Sequence, residues 1–299
     1  MNNKINCAII GSGNIGTDLM RKLQRSNILN PTVMIGVDPD SKGLQLAREV
    51  GMITFDNGIA GFEENSDLAD IVFDATSAKA HLIHAEILKK LGKKTIDLTP
   101  AAVGPFCVPA VSLNEETINL FDNVNMVTCG GQATVPIMKA ISTVVSVEYG
   151  EIVASVSSKS AGPGTRQNID EFTETTAKAI EEIGGAKKAK AIIILNPADP
   201  PILMRNSIFA KVSDDYLDKV NEIMDSIMQM VEVVKEYVPG YRLISPPEIK
   251  DGIVKVFTEV EGLGDYLPKY SGNLDIITSA AVKTGEMMAV SLIRKENKV

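Results

Sequence analysis

A short apolar run that ends on glycine and opens into a Gly-x-Gly-x-x-Gly turn constrains this chain more than any other feature. Ile5-Asn6-Cys7-Ala8-Ile9-Ile10 reads as a buried strand of a parallel sheet. Gly11-Ser12-Gly13-Asn14-Ile15-Gly16 follows, and Ile15, Leu19 and Leu23 then recur at helical spacing. Between a strand and a helix each glycine has a task. Gly11 permits the tight turn, Gly13 lets the backbone approach a pyrophosphate, and Gly16 lets helix and strand pack closely. The helix N-terminus would offer its N–H groups to the phosphates. The expectation is a Rossmann domain with Gly11, Ser12, Gly13, Asn14, Ile15 and Gly16 at a dinucleotide; an ordinary glycine-rich turn is the weaker alternative.

Asp38 stands 22 residues after Gly16, at the expected end of a second strand over 32–37. A carboxylate there accepts hydrogen bonds from ribose hydroxyls and repels a 2′-phosphate. With no arginine directly after it, NAD is favoured over NADP. The other reading is a turn-forming aspartate before Pro39.

The pattern continues with a helix over 43–50, a strand over 71–75, a helix over 78–91 and strands at 95–98 and 125–127. Such alternation predicts a parallel sheet covered on both faces. It then gives way to long strands at 151–160, 191–195, 202–212 and 253–261. Between them lie a helix from Ile169 to Ile183, a long helix capped by Ser213, and a final helix over 273–293. The predicted fold class is α/β: an N-terminal Rossmann domain with a parallel sheet, plus an α+β second domain with a mostly antiparallel sheet. The expected domains are 1–130, with the helix 273–299 packing back on it, and 131–272.

Of 299 residues, 38 are acidic and 30 basic, a net charge of −8 that argues against nucleic acid and anionic membranes as partners. No N-terminal stretch has the layout of a signal peptide, and the first apolar run is far too short to span a bilayer, so a cytoplasmic protein is expected. Three cysteines without a Cys-x-x-Cys pair, and two histidines, argue against a disulfide framework and against a metal site.

Cys129 is the residue best suited to chemistry. It sits between a strand end and a helix start, in the turn Thr128-Cys129-Gly130-Gly131-Gln132, with a helix expected from about Thr134. A helix N-terminus stabilises a thiolate, so a lowered pKa is expected, and nearby N–H groups could hold an oxyanion. Cys7 falls inside the first strand and Cys107 in the loop Pro105-Phe106-Cys107-Val108-Pro109. A thiolate beside NAD adds to an aldehyde, hydride leaves to the nicotinamide, and a thioester remains for an acceptor. His81 and His84 share one turn of a first-domain helix, where a surface role is expected, and no histidine follows Cys129. That absence counts against cysteine–histidine chemistry. It suits an acidic acceptor such as the thiol of coenzyme A, at a pKa of about 8.5.

Several further segments carry a family likeness: Asn125-Met126-Val127-Thr128-Cys129-Gly130-Gly131-Gln132-Ala133-Thr134, Ser160-Ala161-Gly162-Pro163-Gly164-Thr165-Arg166-Gln167-Asn168, Asn196-Pro197-Ala198 and Gly272-Asn273-Leu274-Asp275. With the glycine turn, they resemble the acylating acetaldehyde dehydrogenases that partner 4-hydroxy-2-oxovalerate aldolase in meta-cleavage catabolism of aromatic compounds. The resemblance runs through almost the whole chain. It implies a glyceraldehyde-phosphate dehydrogenase-like fold, a homo-oligomer, an acyl thioester on Cys129, and NAD contacts from Ser12 to Ile15, the loop Ser160–Asn168 and Asn273. Read physically, that loop can present N–H groups and the Arg166 guanidinium to a cofactor, or serve as a helix-entry turn. Asn273 can meet the nicotinamide amide, or cap the last helix.

One position departs from the family. Asn206 stands in Leu203-Met204-Arg205-Asn206-Ser207 where the family usually has an aspartate, a candidate general base; an amide cannot take a proton. Asp199 is near in sequence but a poor substitute. The expected activity is oxidation of acetaldehyde or another short aldehyde such as propanal to acyl-CoA. A semialdehyde or phosphorylating dehydrogenase, and a non-catalytic NAD-binding subunit, remain open.

Overall fold

The computed structural model describes residues 4–162, 166 and 168–296. They fall into two compact units, one drawn from residues 1–109, 113–126 and 278–299, the other from 110–112 and 127–277. Cys129 therefore belongs to the second unit, since the division falls at Val127 rather than after residue 130.

The first unit is built on six parallel strands, β1 (Ile5–Ile10), β2 (Leu29–Ile35), β3 (Ile53–Phe55), β4 (Ile71–Asp74), β5 (Lys94–Asp97) and β6 (Asn123–Asn125), in the order β3-β2-β1-β4-β5-β6. The helices α1 (Asn14–Leu23), α2 (Lys42–Glu49), α3 (Ile59–Glu63) and α4 (Ala78–Lys90) fill the crossovers. The strand order reverses between β1 and β4, so the carboxyl ends of these two strands flank the crevice where such sheets bind ligands. Cys7, Ala8 and Ile9 in β1, and Ile71, Val72 and Phe73 in β4, have no exposure. Ala8, Ile10, Val33, Ile35, Phe62, Val72 and Leu88 form one apolar cluster. Each large aliphatic or aromatic side chain so buried contributes about 1.5–3 kcal/mol. The short elements β3 and α3 have too little periodicity to be read from sequence.

The second unit holds α5 (Cys129–Val144), α6 (Ile169–Glu182), α7 (Val220–Lys235) and the strands β7 (Val147–Ser157), β8 (Ala189–Asn196), β9 (Met204–Val212), β10 (Tyr241–Leu243), β11 (Glu248–Lys250) and β12 (Ile253–Val260). The sheet order is β10-β12-β9-β7-β8, with β11 also on β12. Every pairing is antiparallel except β7 with β8, which α6 joins as a crossover. Ser213 does not cap α7. Its hydroxyl donates to Asp215, and a 3-10 turn over Asp214–Lys219 precedes the helix.

The last helix, α8 (Gly272–Glu296), leaves the second unit after Ile277 and continues in the first. Thr278 donates to Asp18 at 2.6 Å, and Ser26 donates to Glu286 at 2.7 Å. At Gly285 a Cβ would lie 2.6 Å from the Phe73 ring, so only glycine lets α8 approach the sheet this closely.

Candidate active site

The glycine turn has the geometry its spacing predicts. Gly11 adopts φ +110°, and a Cβ there would meet the Ala75 carbonyl oxygen at 2.6 Å. A Cβ on Gly16 would fall 1.8 Å from the Gly11 carbonyl oxygen, so helix and turn can close only on glycine. Gly13 differs: a Cβ there would meet nothing within 4 Å. The turn thus presents bare backbone to open space. α1 also lacks a side-chain cap, whereas Ser41, Ser77 and Thr128 cap α2, α4 and α5. N–H groups at the foot of α1 are thereby left for an anion, which suits a pyrophosphate. Ser12 Oγ hydrogen-bonds Ser41 Oγ at 2.7 Å, tying the turn to α2. Asp38 is exposed three residues beyond β2, and its Oδ1 accepts from the Asp40 N–H at 3.0 Å.

His81 overturns its surface assignment. It is completely buried, with Nδ1 2.9 Å from Asp74 Oδ2 and Nε2 3.4 Å from Asp97 Oδ2. His84 is largely buried, 2.8 Å from the same Asp74 oxygen. Two carboxylates and Asn123, remote in sequence, satisfy the ring of His81, which is why helical position alone misplaced it.

In the second unit the chain enters α5 through Val127, a β-branched residue held at φ +63°. That left-handed backbone is strained for valine. Thr128 then caps the helix, its Oγ1 accepting from the Gly131 N–H at 2.9 Å and bonded to Thr176 Oγ1 at 2.6 Å. Cys129 is the first helical residue, not part of a turn before a helix at Thr134. The two glycines and Pro136 hid this start, because all three are poor helix formers. A Cβ on Gly130 would lie 2.7 Å from the Phe172 ring of α6, and one on Gly131 2.5 Å from the Val127 side chain.

Cys129 is partly exposed at its surface, yet burial pushes its thiol up to about 12. The N–H groups of Cys129 and Gly130 bond the sulfur and oppose this, without prevailing. The lowered pKa expected from the helix dipole is therefore not what the folded chain has, because desolvation outweighs the partial charge of the helix end. The same two N–H groups are placed to stabilise negative charge on an oxygen bonded to a carbon on Sγ. Cys7 and Cys107 are fully buried, and burial holds both thiols protonated, Cys107 at about 11.

The segment after β7 is tied to itself. Ser160 donates to the Ser157 carbonyl at 2.9 Å, and Ala161 is buried. The Arg166 guanidinium donates to the carbonyls of Ala161 and Ser158, so much of it braces the loop instead of facing outward. A Cβ on Gly162 would meet none of the described residues within 4 Å, and Asn168 precedes the first residue of α6. Pro163, Gly164, Thr165 and Gln167 lie outside the described residues. Asn273 is buried in the first turn of α8, and its Oδ1 has no partner among the described residues.

Asn206 is buried in β9, donating to Thr258 Oγ1 at 3.1 Å, and its Oδ1 likewise has no described partner. It pairs with Ala154 of β7, whose Cβ would be 3.6 Å from a Cβ on Gly130. Asp199 is exposed and ion-paired with Lys159. Neither Val127 nor Phe172 could be found from sequence: one matters for its backbone, the other for a contact made across 42 residues.

Relatives accord with this geometry. The family description "Prokaryotic acetaldehyde dehydrogenase, dimerisation" matches residues 129–268, and "Semialdehyde dehydrogenase, NAD binding domain" matches residues 6–119. An acetaldehyde dehydrogenase of Geobacillus stearothermophilus is 61% identical over 96% of each chain. Acetaldehyde dehydrogenase 2 of Metapseudomonas furukawaii is 56% identical over 98% of this chain and 96% of its own. Among solved structures, aspartate semialdehyde dehydrogenase II of Vibrio cholerae shares the fold, with a TM-score of 0.62 at 15% identity over 98% of this chain and 99% of that one. With relatives named acetaldehyde dehydrogenase at 56–61% identity over nearly the whole chain, and family matches on both of its parts, the chain belongs to the acetaldehyde dehydrogenase family.

Proposed function

We propose that the chain is a coenzyme A-acylating aldehyde dehydrogenase, converting acetaldehyde or another short aldehyde to acyl-CoA. The observation that carries this reading is Cys129 in the first turn of α5, with the N–H groups of Cys129 and Gly130 on its sulfur. Bound NAD supplies the hydride acceptor, with Gly11 to Gly16 and Asp38 as its proposed seat, joined by Asn273 and the Ser160–Asn168 loop. The bare turn at Gly13 and the buried Oδ1 of Asn273, without a partner among the described residues, suit such a ligand.

Cys129 Sγ attacks the aldehyde carbon, forming a C–S bond while the carbonyl pair moves to oxygen. The two N–H groups hold that oxygen. As hydride leaves the same carbon, the C=O bond reforms and a thioester remains. The thiol of coenzyme A then adds to the thioester carbon, and Cys129 departs as thiolate. Because burial holds the Cys129 thiol protonated, it must lose its proton as the substrate arrives. Asn206 cannot accept that proton, so a water molecule is the proposed carrier.

Association into a homo-oligomer is part of the proposal. Across the sheet of the second unit, Val153, Ile192, Phe209 and Phe257 stay partly exposed and Ile194 is exposed. Phe209 and Phe257 stack edge to face with centroids 6.2 Å apart. A partner 4-hydroxy-2-oxovalerate aldolase rests on the family likeness, and a cytoplasmic setting is likewise part of the proposal.

The test is NADH formation from acetaldehyde, NAD and coenzyme A by the purified protein. Cys129→Ala should abolish it. Equal turnover without coenzyme A would defeat the acylating reading, and phosphate replacing coenzyme A would favour a phosphorylating enzyme.

A further inference from the structure

Asp74 ends β4 opposite Ile10 of β1, at the point where the strand order reverses. Its two oxygens face opposite tasks. Oδ1 accepts from the Thr76 N–H at 3.1 Å and from the Thr76 hydroxyl at 2.5 Å. Oδ2 lies 2.9 Å from His81 Nδ1 and 2.8 Å from His84 Nδ1. The Ala75–Thr76 peptide thus held is the wall against which the glycine turn packs, since a Cβ at Gly11 would strike Ala75 and come within 3.4 Å of the Thr76 side chain.

We propose that His81, seated between Asp74 and Asp97, is a positioning residue for this wall, and that its protonation couples NAD affinity to pH. The inference rests on the reading that NAD occupies the glycine turn.

Two arrangements of the cluster differ by one proton. With His81 neutral, Nδ1–H donates to Asp74, and Nε2 accepts from Asn123 Nδ2 at 2.8 Å. With His81 charged, Nε2–H needs an acceptor. Asn123 can supply it by turning its amide, because its Oδ1 is buried and has no partner among the described residues. Only the charged arrangement satisfies that oxygen, and it places a cation between two buried carboxylates.

The surroundings favour that cation. Burial works against a charge on His81, but the hydrogen bond to Asp74 and the charges of Asp97 and Asp74 outweigh it and raise its pKa. Burial pushes Asp97 up to about 6, against the opposing charge of His81 and hydrogen bonds from Thr99. Above that pH, Asp97 is ionised and His81 is the group that titrates. Its other polar neighbours are few. Asn125 of β6 bonds Asp97, while Lys94 of β5 is engaged with Asp122 and with the carbonyls of Asn119 and Phe121. Glu86 and Lys89 of α4 and Asp122 line a surface cavity of about 230 Å³ that also reaches Asn123, the partner of His81 Nε2.

Losing the proton leaves one more negative charge beside the site of the pyrophosphate. NAD should therefore bind more weakly as His81 deprotonates, by about threefold, and by reciprocity NAD should raise the pH at which His81 titrates.

The chain has only two histidines, so nitrogen-15 spectra of the intact protein contain two rings, and His84→Gln assigns them. The expected result is a His81 ring that titrates above the ordinary pKa of about 6.5 and moves higher with NAD. Fluorescence titration should show the matching loss of NAD affinity as the pH rises above about 6.5. His81→Gln should make the affinity flat with pH. Should that variant fail to fold, Asn123→Asp serves instead, because a carboxylate on Nε2 should move the loss to higher pH. A His81 ring neutral throughout, or a wild-type affinity that does not change with pH, would overturn the proposal. Failure to bind NAD at any pH would instead overturn its assignment to the glycine turn.

Discussion

Gly130 and Phe172 are packed so closely that a single methyl group cannot be added between them: a Cβ at position 130 would lie 2.7 Å from the ring. Gly130→Ala must therefore push α6 or the first turn of α5 aside and move the N–H groups that face the Cys129 sulfur. Overpacking of this kind costs about 1–3 kcal/mol. Turnover should fall more than stability does, by about a hundredfold, as for loss of one oxyanion donor. Phe172→Leu in the same chain should restore part of both, which a double-mutant cycle on kcat and on denaturation midpoints would measure.

The glycines of the cofactor turn should separate folding from binding. Gly16→Ala places a Cβ 1.8 Å from the Gly11 carbonyl oxygen and should unfold or severely destabilise the first unit. Gly13→Ala meets nothing within 4 Å, so thermal stability should hold while NAD affinity falls at least tenfold. Equal effects on both properties at both positions would contradict the separation.

Burial holds the Cys129 thiol at about 12, so in the free protein it should resist alkylation. At about pH 8 the expected rate with iodoacetamide is about a thousandfold below that of an exposed cysteine, rising tenfold per pH unit. Cys129→Ala gives the background from Cys7 and Cys107. A rate near that of a free thiol would instead mean that the helix end prevails over desolvation.

Burial acts to raise the Asp74 carboxyl, but hydrogen bonds from His81, His84 and Thr76 overcome it and hold the group at about 2. A carboxylate whose pKa is lower folded than unfolded stabilises the fold above the unfolded value and loses that contribution as pH falls. Denaturation measured from about pH 5 down to about pH 2 should therefore show a loss of about 2 kcal/mol that Asp74→Asn lacks.

Asn206 offers a buried amide oxygen without a described partner, beside the strand that backs Gly130. Asn206→Asp would bury a carboxylate there, and desolvation would raise its pKa. A new ionisation should enter the pH profile of acyl transfer to coenzyme A. An unchanged profile would exclude the position from that step.

The strand, turn and helix from Ile5 to Leu23 could be read directly from the chain, because everything that shapes them lies within a few residues. The unbroken apolar run, the tasks of Gly11 and Gly16 and the helical apolar stripe are all local. The change of strand pattern expected at residue 151 was legible for the same reason, although β7 begins four residues earlier, at Val147. Tertiary structure alone decided the electrostatics. The N-terminal position of Cys129 argues for a lowered pKa, yet residues brought from α6 and β7 desolvate the turn and raise it. His81 looks like a surface residue on α4 until β5 and β6 deliver Asp97 and Asn123 to its far side. Arg166, suited by type to a cofactor, is bound by its own loop. Local sequence determines which conformations are open to a segment. The charge state of a side chain depends on the water that packing removes, and the residues that remove it are close only in the folded chain.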